Sequence, residues 1–406
     1  MSECTTANGE PRPARHDGSA SALGRARRGD AARVLRWPIR IVRVMAGLAL
    51  LAAAVAERAG AEADAAGSGV RHDVLVVTGA AGSPEFGPGF ARAAERWRDA
   101  CTAAGASCRI VGLDAGDDVS GSSTHDRDAI TAWFGSLDPA SARPAWFVYV
   151  GHGTWDGRES RLNLRGADLT GSEFKLLVDR LGDRPTVVIH GGSASGPWIP
   201  LLAAPHRVIV TATASGDEVN YARLGEHLAE MIGTTAGEGD LDMDGQVSLL
   251  EAFIAAARRV ELFYSGEGRL ATEHALLEDN GDGRGTPPEF FSGARLVRRA
   301  ADGSEPDGAL ARRIILVETA TERSLSDAQR ARRDALEDEL EQLRARKPSM
   351  PEADYMHALE ELLRRLAAIY TTSSPDAPPA EPPRIEAGNR DRRPSLGTDQ
   401  AHADGF

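Results

Sequence analysis

Residues 240–251, DLDMDGQVSLLE, set oxygen-bearing side chains at a regular spacing. Asp240, Asp242 and Asp244 stand at positions 1, 3 and 5 of a twelve-residue frame. Gly245 follows at 6, Gln246 at 7, Ser248 at 9 and Glu251 at 12. Clustered carboxylates repel one another unless a cation lies between them. A tight loop of hard oxygen donors is the EF-hand frame for calcium, with Gln246 offering its main-chain carbonyl. A second stretch, EDNGDG, repeats part of the pattern through Glu278, Asn280, Asp282 and Gly283. Glu289 is twelfth by count there, but Pro287-Pro288 is expected to distort the loop. A different chemistry is suggested by His152 and Ser193, each placed just after an apolar run. A general base and a small nucleophile at two neighbouring strand ends form a peptidase layout.

The elements that must position these residues are short apolar runs alternating with helical spacing. DVLVVT at 73–78, 108–113, AWFVYV at 145–150, PTVVIH at 185–190 and RVIVTAT at 207–213 read as strands. Residues 90–103, 127–136 and 221–232 read as helices between them, and Thr170 with Glu173 makes a capping box for another. This alternation predicts an α/β fold with a mainly parallel sheet flanked by helices. In such sheets the site lies beyond the carboxyl ends of the strands, where His152 and Ser193 fall. Leu249, Leu250, Phe253, Ala257, Val260 and Phe263 make one helical stripe after the acidic loop, whereas Gly233, Gly237 and Gly239 interrupt the chain before it. Ile314–Val317 is a possible further strand. Ser326–Arg346 and Pro351–Tyr370 read as a helical hairpin broken at Lys347-Pro348, with Leu336, Leu340 and Leu343 facing Leu359, Leu362, Leu363 and Leu366.

YVGHGTWDG at 149–157, SASG at 193–196 and TATASGDE at 211–218 resemble bacterial members of the legumain peptidase family, within the caspase-like clan. The resemblance spans about residues 70–290 and includes the calcium-loop insert and GRLATEHALLEDNGDG. It implies a caspase-like fold, His152 as the catalytic histidine and Gly153 as an oxyanion donor through its backbone N–H. The family nucleophile loop runs Cys-x-Ser-Gly, so Ser193 stands where the cysteine belongs. Gly191 replaces the acidic residue that precedes it by two. A thiol ionises near neutral pH, whereas a serine hydroxyl needs a closely coupled base, usually oriented by a third group. The resemblance therefore leaves two readings. One is a binding or scaffolding pseudo-peptidase that takes a peptide or protein in its cleft. The other is an active endopeptidase with Ser193 as nucleophile and His152 as base. A purely structural calcium protein is a third. His190 is expected to be a hydrogen-bonded structural residue.

The chain has 406 residues, 60 acidic and 47 basic, for a formal charge of −13. At 42% apolar and 26% charged it is an ordinary globular composition, and the acidic balance argues against nucleic acid as a partner. The expected organisation is a leader over 1–69, an α/β domain over 70–236, a calcium-binding segment over 237–290, a connection over 291–324, the hairpin over 325–371 and a disordered tail over 372–406. In the leader, the apolar run Val44–Ala56 follows Arg36, Arg40 and Arg43. It is short for a membrane span and has the length of a signal-peptide core. Export to a periplasmic or extracellular space is expected, the alternative being a membrane anchor through an uncleaved leader. Three cysteines, Cys4, Cys101 and Cys108, are too few for a disulfide scaffold, although Cys101 and Cys108 could pair after export.

Overall fold

In Val74–Val77 every residue is buried, and alternate side chains enter different cores. Val74 and Val76 join one apolar cluster while Leu75 and Val77 join another. Successive strand side chains point to opposite faces, so a strand apolar at every position must be covered on both. Trp146, Val148 and Val150 repeat the pattern against Ala145, Phe147 and Tyr149. The computed structural model describes residues 71–113, 126–234, 237–300 and 303–371; the expected leader and tail lie outside them. The described residues all fall in one compact unit.

The central sheet contains β1 (Asp73–Thr78), β2 (Ser107–Val111), β3 (Ala145–Val150), β7 (Thr186–His190), β8 (Arg207–Thr211) and β9 (Leu276–Glu278). Their order is β2-β1-β3-β7-β8-β9, with five parallel strands and an antiparallel edge in β9. The α/β class with a mainly parallel sheet flanked by helices is as the sequence predicts. One face is covered by α1 (Gly87–Ala104), α5 (Leu224–Met231) and α6 (Leu249–Gly266), through Trp97, Leu228 and Phe253 among others. The other is covered by α2 (Asp126–Ser136), α3 (Gly171–Val178) and α4 (Trp198–Leu202), through Trp133, Phe174 and Trp198. Thr170 caps α3 in a complete capping box, and Gly105 ends α1 in the left-handed region.

Three features depart from the expected pattern. Residues between His152 and α3 form a small antiparallel sheet of β4 (Gly153–Trp155), β5 (Ser160–Leu162) and β6 (Leu169–Thr170). Strands of two or three residues are too short to leave a period-2 signature. Second, Ile314–Val317 is not a strand of the sheet. It makes a single antiparallel bridge, Ser248 with Ile315, alongside the acidic loop. Third, β9 and the hairpin of β10 (Phe291–Ser292) and β11 (Arg295–Leu296) were not legible in the sequence. After a short α7 (Ala320–Ser324), the helical hairpin is present as α8 (Asp327–Arg346) and α9 (Glu352–Thr371). Leu336, Leu340, Leu343, Tyr355, Leu362 and Ile369 give it a core separate from the sheet's. Leu363, expected in that core, is instead 48% exposed.

Candidate functional site

The chain runs from β1 outward to β2, then returns past β1 to β3. Such a reversal is where sheets of this kind place a binding crevice, at the carboxyl ends of the parallel strands. β3 pairs with β7 through Tyr149 and His190, so His152 and Ser193 leave neighbouring strands at the same rim. The two crossings touch through backbone. A Cβ on Gly153 would lie 2.1 Å from the Ser193 carbonyl oxygen, so only glycine fits there. Ser193 is 1% exposed. Its Oγ accepts a hydrogen bond from the Gly153 amide at 3.1 Å and donates to the Gly153 carbonyl at 3.2 Å. The donor expected to meet a developing oxyanion is thus engaged by the side chain expected to attack.

His152 is half-buried, with Phe86, Phe90 and Tyr221 packed edge-on around its ring. Burial lowers its pKa, and a hydrogen bond to the Ala81 backbone partly opposes that shift. Ala194, directly after Ser193, is buried with φ of 54°, a left-handed conformation uncommon for a residue with a Cβ. Ser195 is locked to Thr213: each backbone N–H donates to the other's hydroxyl, at 2.8 and 3.0 Å. His190 is fully buried between Tyr149 and Trp198, and its Nδ1 accepts from the Gly192 amide. Burial pushes its pKa down to about 3, and among the described residues its buried Nε2 has no hydrogen-bond partner. Gly191 faces α5, where a Cβ would lie 2.6 Å from Gly225 Cα. No acidic side chain fits at that position.

The acidic loop is served by other elements. Asp240, Asp242 and Asp244 each bring one carboxylate oxygen within 4.8 Å of the others. Asp240 accepts from the Asp244 and Gly245 amides, and Gly245 turns the chain with φ of 85°. Glu251 is buried at the start of α6. Its Oε1 accepts from the Leu241 and Asp242 amides, and its Oε2 accepts from Ser248, amide and hydroxyl alike. Ser248 is therefore the N-cap of α6, with a hydroxyl occupied by the capping box. The Gln246 side chain accepts from the Thr319 amide. Burial first, then neighbouring carboxylates, raises the pKa values of Asp242 and Asp244. An oxygen-only donor set whose charges crowd one another fits calcium rather than a metal that favours nitrogen or sulfur. The helix before the loop ends at Met231, so only the exit half of a helix–loop–helix is built. Between this loop and the helical hairpin lies a cavity of about 570 Å³, walled by Asp242, Glu251, Arg312, Arg344 and Tyr370 among others. Neither His152 nor Ser193 lines it.

Cys101 and Cys108 sit at the end of α1 and in β2, both as free thiols. A hydrogen bond between them raises the Cys101 pKa and lowers that of Cys108.

No family model matches this chain, and no curated protein matches it. Among solved structures, the Drosophila initiator caspase Dronc is similar at 10% identity over 54% of this chain and 84% of its own, with a TM-score of 0.33. Caspase-1 from Spodoptera frugiperda is similar at 11% identity over 52% of this chain and 88% of its own, with a TM-score of 0.35. Among the described residues, no helix is long and apolar enough to cross a membrane.

Proposed function

We propose that this is an exported, calcium-binding pseudo-peptidase: a caspase-type α/β scaffold whose rim recognises a peptide or protein without cleaving it. One observation carries the reading. The Ser193 hydroxyl is buried and donates to the Gly153 carbonyl, not to a base, while accepting from the amide that catalysis would need free. An unactivated serine lacks the intrinsic reactivity of a thiolate. The loss of room beside Gly191 also removes a charged wall for substrate recognition. The three converging aspartates support calcium as the bound cation.

A second reading, an endopeptidase using Ser193, is favoured by one feature: burial against Phe86, Phe90 and Tyr221 lowers the His152 pKa, in the direction a general base needs. The deciding experiment is cleavage of a peptide library by the full chain and by His152→Ala and Ser193→Ala. The pseudo-peptidase reading expects no turnover in any of the three. Turnover by the parent chain that both substitutions abolish would replace it with the second reading. Ser193→Cys, with the thiol beside the Gly153 amide, is expected to react with thiol-directed acylating probes.

A further inference from the structure

We propose that a second calcium site lies in the loop from Glu278 to Thr286, completed by Asp307 from a separate stretch of chain. This deepens the calcium reading above but rests on different residues.

The two loops are wired alike. In the first, the position-1 carboxylate of Asp240 accepts amides from positions 5 and 6, and Asp244 at position 5 accepts from Gln246 at 7. In the second, Glu278 at position 1 accepts from the Gly281 and Gly283 amides, at positions 4 and 6. Asn280 accepts from Asp282, and Asp282 accepts from Arg284 at position 7. Glycine holds position 6 in both, with φ of 85° at Gly245 and 74° at Gly283. The decisive match is at position 12. Glu251 takes the amides of positions 2 and 3 with one oxygen and the position-9 hydroxyl with the other. Asp307 does the same in the second loop. Its Oδ1 accepts from the Asp279 and Asn280 amides at 2.8 and 3.2 Å, and its Oδ2 accepts from the Thr286 hydroxyl at 2.7 Å. Glu289, twelfth by count, is exposed in the turn that Pro288 begins. The prolines thus remove the local twelfth residue, and a distant aspartate takes its place. Asp279 holds it there by accepting from the Gly308, Leu310 and Ala311 amides.

An independent feature points to a ligand. Glu278 is 0% exposed, and among the described residues its buried Oε2 has no hydrogen-bond partner. The other oxygen is fixed on the loop amides, so the orphan belongs to a carboxylate seated against the loop. A buried unpartnered carboxylate oxygen is costly unless a cation meets it. The nearby guanidinium of Arg207 makes its hydrogen bonds with Leu202 and Asp179 instead. Hard oxygens in an irregular loop suit calcium better than magnesium, which demands near-octahedral geometry. A cation here would tie the sheet's antiparallel edge, where Glu278 pairs with Ile209, to the Asp307 segment.

The test is calcium stoichiometry by equilibrium dialysis of the full chelator-stripped chain in a magnesium background. The parent chain should bind two calcium ions. Asp307→Asn and Asp282→Ala should each bind one, as should Asp242→Ala in the first loop. Asp282 is exposed, so its substitution reports on the site without burdening the core; circular dichroism checks the fold of each variant. A parent chain binding one ion, lost in Asp242→Ala, would overturn the second site and leave the first. One ion lost only in Asp307→Asn and Asp282→Ala would overturn the first and support the second. Two ions retained in folded Asp307→Asn would overturn the role of Asp307, and none in the parent chain would overturn both sites.

Discussion

Ser193→Ala separates a hydroxyl kept for structure from one kept for chemistry. Ser193 is almost completely buried, and its Oγ is the acceptor for the Gly153 amide as well as a donor to the Gly153 carbonyl. Removing the hydroxyl leaves the buried Gly153 N–H without that acceptor. Water cannot readily replace it, because the Ser193 and Gly153 backbones are too close for any side chain on Gly153. An orphaned buried donor costs about 1–3 kcal/mol. For a cooperative unit of this size each kcal/mol lowers the melting temperature by roughly 2–4 °C, so the drop should be roughly 2–12 °C. Differential scanning calorimetry of parent and variant at fixed calcium measures it, with near-ultraviolet circular dichroism to confirm the same native state. An unchanged melting temperature would refute the structural role. Lost peptide cleavage alongside it would show that the hydroxyl is held for attack.

Three further outcomes are expected. Calcium at one hundred times its dissociation constant for the first loop should stabilise the chain by about 2.7 kcal/mol, because the folded loop converges Asp240, Asp242 and Asp244. Identical melting curves in excess calcium and excess chelator would contradict this. His190 and His72 are held neutral by burial, at about 3 and about 4, against about 6.5 when unfolded. Below pH 6.5 the unfolded chain therefore takes up protons first, and stability should fall by up to about 1.4 kcal/mol per pH unit for each group. Urea midpoints at pH 7 and 4.5 should show a smaller acid loss in a folded His190→Gln variant than in the parent; equal losses would exclude His190 as a source. Leu336→Ala empties a fully buried position of the hairpin core and should cost about 2–5 kcal/mol. Hydrogen exchange should rise across α8 and α9 while β1 and β3 stay protected, since the hairpin core is separate from the sheet's. Exchange rising equally throughout would refute that separation.

Much of the framework was legible because its signals are local. Asp73–Thr78 and Ala145–Val150 are strands at the expected residues, since a run of buried β-branched and aromatic side chains has few other solutions. Thr170 and Ser326 form the expected capping boxes, since the partner lies three residues away. The first acidic loop was legible for the same reason: a twelve-residue frame carries its donors in order. The second was legible only as far as its sixth position. Asp307 stands far along the chain from Glu278, and no spacing rule connects them.

The order of residues by itself determined the long buried strands and the helices packed on them, and that His152 and Ser193 follow two of those strands. Those properties follow from periodicity, caps and turn chemistry within a few residues. Only the tertiary structure decided that β3 and β7 are adjacent, that the Ser193 hydroxyl turns onto Gly153, and that a distant aspartate closes the second loop. Each of these depends on contacts between segments brought together by burying both faces of one sheet, and such contacts leave no local pattern in the chain.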